Sequence, residues 1–252
     1  MEIVSGRTGK PHVTSQQFRQ IIEGIIGDDS CILPSGENLE PELVSNNSLK
    51  IRSGMMCHHG NVSSVKIGTY DEVELTNGSQ GMKRIDLIVN RYTRNEEDNT
   101  EKNEWVVIMG TPAESSPVVP EYTKGNLQEG DLVDDCPAFE VHFDGINITE
   151  VTKRLEIAKT NKDLTDRIPI YGTTPIIETG ANSYKDTTVK FGKTFSKAPV
   201  VVVSLSGGSQ NTKSFGVAVL NTGTSSCVIR TVNGNNSSVS IMVNWCAFPK
   251  EA

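Results

Sequence analysis

The chain has 252 residues, enough for one large domain or two modest ones with room for hydrophobic cores. Hydrophobic residues make up 36% and aromatics 6%, with 22 glycines, a lean composition that fits β-rich, loop-rich domains sharing burial with partner subunits. The net charge of −7 disfavours a broad nucleic-acid surface, and no segment approaches the roughly 20 apolar residues of a membrane span.

The opening MEIVSGRTGKPHV has no basic-then-apolar signal pattern, so synthesis in a reducing cytosol is expected. The five cysteines (Cys31, Cys57, Cys136, Cys227 and Cys246) are odd in number, lack paired spacing and read as free thiols. Gly6 to His12 reads as an extended arm. In VTSQQFRQIIEGIIGDD, Thr14 or Ser15 can cap a short helix and Gly27 can end it. Phe18, Ile22 and Ile25 share a face, joined by Ile21 and Ile26, that could pack on its own domain or on a neighbouring subunit.

From Cys31 to Ile146 the period shifts to two. Leu49 and Ile51, Val65 and Ile67, Val73 and Leu75, then Ile85, Leu87 and Val89 alternate with their neighbours. Trp105, Val107 and Met109 do the same, as do Phe139, Val141 and Phe143. Asn77-Gly78 is a tight-turn signal, and the charged run RYTRNEEDNTEKNE reads as an exposed hairpin loop. Gly110 to Leu132 carries three prolines and no periodicity, so an irregular crossing over the domain surface is expected. Together these strands imply an antiparallel sandwich or small barrel.

The run Ile148 to Arg167 has no glycine and no proline. Ile148, Val151, Leu155 and Ala158 follow a 3-4-3 spacing, one narrow stripe of a helix suited to a coiled-coil seam. The spacing predicts a helical neck roughly 25–30 Å long, joining three chains, between β domains at 1–147 and 168–252. The alternative is a lone surface helix on one domain, because two heptads are short for a coiled coil.

Beyond Arg167, IPIYGTTPIIETGANSYKDTT reads as a linker or a first strand with loops. Val200 to Leu205 is an apolar run expected to be buried on both faces or at a subunit interface. Phe215, Val217 and Val219 form a further strand, as does Cys227 to Val232, and Val239, Ile241, Val243 and Trp245 share one face of the last. Asn233 to Asn236 is a second turn signal.

Two resemblances give these patterns a context. RIDLIV, a polar hairpin, VVIMGTPAESSPVVPEYTKG, an acidic stretch and AFEVHFDGINITEV resemble the N-terminal domain of tail-fibre and baseplate receptor-binding proteins of phages and prophages of Gram-positive bacteria. The resemblance covers about residues 5–167. It implies attachment of this region to a phage baseplate or tail protein, in a virion made in the bacterial cytoplasm. FGKTFSKAPVVVVSL and VSIMVNWCAF resemble the H-type lectin fold, which implies a six-stranded sandwich and a homotrimer. The family's sugar-contacting pattern does not align, so the fold and the trimer carry over and a sugar site does not.

The chemistry expected is recognition rather than catalysis. Amide side chains offer donors and acceptors to sugar hydroxyls. Gln210 and Asn211 in one loop, with Asn233, Asn235 and Asn236 in another, are therefore the candidate carbohydrate-binding residues, the alternative being that they only form turns. Cys57-His58-His59 invites a metal reading, but adjacent residues of a strand point to opposite faces, so no metal site is expected there. Asp134-Asp135 and Glu96-Glu97-Asp98 read as solvated loop. Trp245 reads as core rather than as a sugar platform. No catalytic residues and no cofactor are expected. The whole suggests a phage adhesin gripping host cell-wall polysaccharide, with a structural baseplate or capsid decoration fibre as the competing class.

Overall fold

The computed structural model describes residue 4 and residues 13–208 and 214–250. The arm at Gly6–His12 and the loop residues Gln210 and Asn211 lie outside the described residues. The chain divides into two compact units, Met1–Ala158 and Lys159–Ala252. Both are mainly β.

The N-terminal unit opens with helix α1 (Ser15–Ile26). Thr14 caps it: its hydroxyl accepts from Gln17 N–H at 3.1 Å, and the Gln17 side chain accepts from Thr14 N–H at 3.1 Å. This reciprocal pair satisfies two orphan donors and contributes about 1 kcal/mol. The helix buries Arg19, which pairs with Glu101 at 3.1 Å, and leaves Phe18, Ile21 and Ile25 facing outward. Strands β1 (Cys31–Leu33), β2 (Pro41–Ser45), β3 (Ser48–His58), β4 (Asn61–Glu74), β5 (Lys83–Arg94), β6 (Glu101–Ile108), β7 (Val133–Asp144), β8 (Asn147–Lys153) and β9 (Glu156–Ile157) follow. They form two sheets. One has the order β2-β3-β1-β9, with β4 paired to β3, and the other the order β6-β5-β7-β8. Leu49, Ile51, Met56, Val65 and Val73 of the first sheet share a core with Ile88, Phe139, Val141 and Phe143 of the second.

Two local departures from simple alternation matter. Ile67 is exposed although Val65 is buried, because β4 bulges between the pairs Gly54↔Val65 and Arg52↔Tyr70. Asn77-Gly78 makes no hairpin: β4 and β5 belong to different sheets, and the chain crosses between them there. A two-residue hairpin forms instead at His59-Gly60, closed by the pair His58↔Asn61, with φ of +47° and +72°. Positive φ at both central residues is the twist-matched turn that joins antiparallel strands.

The helical neck is not formed. Ile148 and Val151 lie in β8, paired with Phe143 and Val141, and both pack against the N-terminal core. A bulge between His142 and Phe143 inserts one extra residue into β8. A three-residue spacing therefore returns to the same face of the strand and imitates helical periodicity. The β-branched residues Ile148, Thr149, Val151 and Thr152 favour this outcome. Leu155 is buried in the same core. Ala158 N–H donates to Ile32 C=O at 2.8 Å beside the parallel pairing of β1 with β9. The proposed seam thus belongs to one sandwich rather than to a trimer axis.

The C-terminal unit begins with the helical part of that run, α2 (Asn161–Arg167), seven residues capped reciprocally by Thr160 and Asp163. Strands β10 (Ile170–Thr173), β11 (Ile177–Thr179), β12 (Ser183–Lys190), β13 (Val200–Gly208), β14 (Phe215–Thr222), β15 (Ser226–Asn233) and β16 (Val239–Phe248) complete it. In one sheet β10, β11 and β13 pair with β16; the other has the order β12-β15-β14. There are seven strands among the described residues rather than the six expected. The extra one arises because β10 and β11 run along the same partner, interrupted at Thr174 and Pro175. Pro175 cannot donate a ladder hydrogen bond. Thr174 fills the gap: its N–H donates to Val243 C=O at 2.9 Å, and its hydroxyl accepts from Val243 N–H at 3.0 Å. Ile177, Val189, Phe191, Phe195, Ile229 and Val243 form the core.

Candidate functional site

The side chains of β10, β13 and β16 alternate between the core and solvent. Val201, Val203 and Trp245 pack on the core, and the Trp245 ring lies 5.8 Å from Phe191, so Trp245 is a packing residue. The intervening residues form an outward face. Its cross-strand rows are set by register: Tyr171, Cys246 and Val202 form one, and Thr173, Asn244 and Ser204 the next. Val200 and Phe248 extend the apolar end. Tyr171 is 84% exposed and Val202 55%, so the valine run is half-buried rather than enclosed on both faces. A shallow depression of about 550 Å³ lies over Tyr171, Thr173, Ser204 and Asn244. Thr173 Oγ1 donates to Asn244 Oδ1 at 2.8 Å, which leaves the donor end of this exposed amide for a ligand. An aromatic ring beside hydroxyls and an amide, all on strands, can hold a sugar by stacking and hydrogen bonding.

The turn amides are differently employed. Asn233 is 1% exposed. Its Nδ2 lies 3.0, 2.9 and 2.9 Å from the carbonyls of Thr179, Gly180 and Ser237, and its Oδ1 accepts from Asn235 N–H and Nδ2, both at 2.9 Å. Every hydrogen-bonding group of Asn233 is therefore spent on the turn, which removes it from the ligand candidates. Asn235 is drawn into the same network. Asn236 is exposed and accepts from Asn182 at 3.2 Å. These amides hold the crossing from β15 to β16, the turn-forming alternative.

In the N-terminal unit the structure brings together residues that alternation alone would separate. His58 ends β3 and His59 begins the turn with left-handed backbone, so the two neighbours swing to one side and their rings stack at 3.9 Å. Both meet Asp134 of β7: His59 Nδ1 lies 2.8 Å and His58 Nε2 3.0 Å from Asp134 Oδ2. Asp134 Oδ1 accepts from Gly125 N–H at 2.9 Å, and the Ser30 hydroxyl stands 2.5 Å from His58 Nδ1. Burial works to raise the Asp134 carboxyl, but the two imidazoles and the Gly125 N–H outweigh it and hold it well below the usual carboxylate range. The hydrogen bond to Asp134 raises His59 above its ordinary value. Burial pushes the nearby Cys57 thiol up to about 11 and Cys136 up to about 12, so neither offers a thiolate nucleophile near neutral pH.

Asp134 and Asp135 are thus not solvated loop; they are 1% and 0% exposed. As strand neighbours they face opposite ways, Asp134 to the imidazoles and Asp135 to Arg91, in a bidentate pair at 2.6 and 2.8 Å. Asp135 also accepts from Thr123 N–H at 2.9 Å, so the two carboxylates together fasten the irregular crossing that precedes β7. The start of that crossing is fixed by Gly110, whose N–H donates to the buried Asp86 at 2.9 Å. A Cβ at Gly110 would sit 2.0 Å from Ile85 O, which explains the glycine of the glycine-threonine-proline turn.

No helix among the described residues is long and apolar enough to cross a membrane. No family model matches the chain, and no curated protein matches it in sequence. Among solved structures it is similar to recombinant discoidin II of Dictyostelium discoideum, over 80% of this chain and 83% of that one, at 12% identity and a TM-score of 0.29. A likeness that loose carries no argument about fold or function.

Proposed function

We propose that the chain is a phage tail receptor-binding protein, a homotrimer whose C-terminal unit is an H-type lectin-like head that grips host cell-wall polysaccharide. The observation that carries this reading is the depression beside Tyr171, where an exposed ring, two hydroxyls and an amide share one outward sheet face. Recognition is reversible and without turnover. Repetition of a shallow site on three subunits would convert weak single contacts into avidity for a repeating polymer. The N-terminal unit attaches to a baseplate or tail protein. The outward apolar face of α1, with Phe18, Ile21 and Ile25, supports a role in that attachment.

The competing reading is a structural baseplate or capsid decoration fibre that binds only protein. The apolar end of the same sheet face, Val200, Val202 and Phe248, favours a protein contact. One experiment separates the two. Intact protein and Tyr171→Ala are assayed for binding to cell-wall polysaccharides of candidate host strains, with mass measured in solution. Strain-dependent binding that Tyr171→Ala abolishes at unchanged mass supports the adhesin. No binding by the intact protein, with a mass that falls in Tyr171→Ala, overturns it in favour of the fibre and makes the face a subunit contact.

A further inference from the structure

We propose that His58, His59 and Asp134 form a binding site for one first-row divalent transition-metal ion of the zinc type. One ligand-capable atom from each of the three lies within 4.8 Å of the others. Ligands about 2.0–2.2 Å from a common tetrahedral ion stand roughly 3.3 Å apart, so small side-chain adjustments suffice. The donor set selects the ion class. Two imidazole nitrogens and one carboxylate oxygen suit zinc, iron or nickel, whereas calcium and magnesium prefer an all-oxygen shell.

His58 supplies a second observation. Its Nε2 is buried and, though 3.0 Å from Asp134 Oδ2, is out of line to donate a hydrogen bond. In the tautomer whose Nδ1–H donates to the Ser30 hydroxyl, Nε2 carries a lone pair beside Asp134 Oδ2 and can ligate an ion. A cation seated there would be held by Nε2 and the carboxylate together and would give this buried nitrogen the partner it lacks. The Ser30 contact orients the ring in the way an outer-shell partner orients a metal-bound imidazole. His59 lines an open recess of about 390 Å³ whose rim carries Glu23, Asp28 and Asp29, giving an ion an acidic route of entry. A bound ion would tie the β3–β4 hairpin of one sheet to β7 of the other.

The test uses the full chain without a histidine tag, stripped with a chelator and titrated with zinc chloride by calorimetry, with bound metal counted by mass spectrometry. The expected result is one zinc per chain, and a Tm higher by about 5–11 °C when zinc stands a hundredfold above its Kd. Cobalt should give the visible absorption of a tetrahedral site. His59→Asn keeps a residue tolerant of the left-handed turn and should weaken zinc binding about tenfold or more. His58→Gln should do the same, with circular dichroism confirming that each variant is folded. Absence of stoichiometric zinc, or equal zinc affinity in folded His59→Asn, overturns the proposal. Calcium binding without zinc binding overturns it too, by placing the cation on the acidic rim.

Discussion

Leu155→Ala separates the strand reading of the 148–158 run from a coiled-coil seam. In the structure Leu155 is 9% exposed and packs in the core of the N-terminal unit. Truncation to alanine removes apolar carbon worth about 0.8 kcal/mol per methylene-sized group, or about 2.4 kcal/mol for three. The residual cavity adds to this, and buried leucine truncations cost about 2–5 kcal/mol overall. About 3 kcal/mol is expected, which lowers Tm by about 6–12 °C for a domain of this size. Urea unfolding should show a lower midpoint at an unchanged slope, with hydrogen exchange accelerating in β7 and β8. The oligomeric mass should not change. A variant that loses mass in solution while its unfolding midpoint holds would refute the argument, because that is the signature of a seam residue.

Three further outcomes follow from contacts described above. Gly110→Ala drives a Cβ to 2.0 Å from a backbone carbonyl, so a loss of more than about 3 kcal/mol is expected, with the 111–124 crossing opened to protease. Asn233→Ala leaves the buried Thr179 carbonyl and its neighbours without their donor and should cost the C-terminal unit about 1–3 kcal/mol, read by urea denaturation. In metal-free buffer, acid should destabilise the N-terminal unit through Asp134: its folded pKa is depressed, so its contribution is complete above the ordinary aspartate value and fades as pH falls through that value and below. Unfolding midpoints measured downward from neutral pH should show this loss in the intact protein and less of it in Asp134→Asn.

Much of the β architecture was legible in period-two patterns, because one face of each strand must meet a core. Leu49, Ile51, Phe139, Val141 and Phe143 are buried as their alternation implies. The errors have specific causes. A bulge in β8 gave strand residues a helical spacing, and no local pattern reveals a bulge that depends on the partner strand. The convergence of the two imidazoles is hidden because strand neighbours ordinarily diverge, a rule that fails where the second residue turns left-handed. The His59-Gly60 dipeptide between two strands is the signal that could have shown it. Asp134-Asp135 looked solvated because the sequence hides their partners, Arg91 and the two histidines, far along the chain. Tyr171 is legible only as part of a linker or first strand; its place on the sheet follows from β16, which lies at the other end of the unit.

The parallel pairing of β1 with β9 also bears on how the protein is made. Cys31 and Ile32 emerge early from the ribosome, but their partners Glu156 and Ile157 are among the last residues of the unit to appear. Until then β1 leaves that edge unpaired, and the core lacks Leu155. Such long-range closure slows folding and prolongs the exposure of a sticky strand edge. A nascent chain halted near residue 147 should therefore cling to chaperones, whereas one extended past residue 158 should let go.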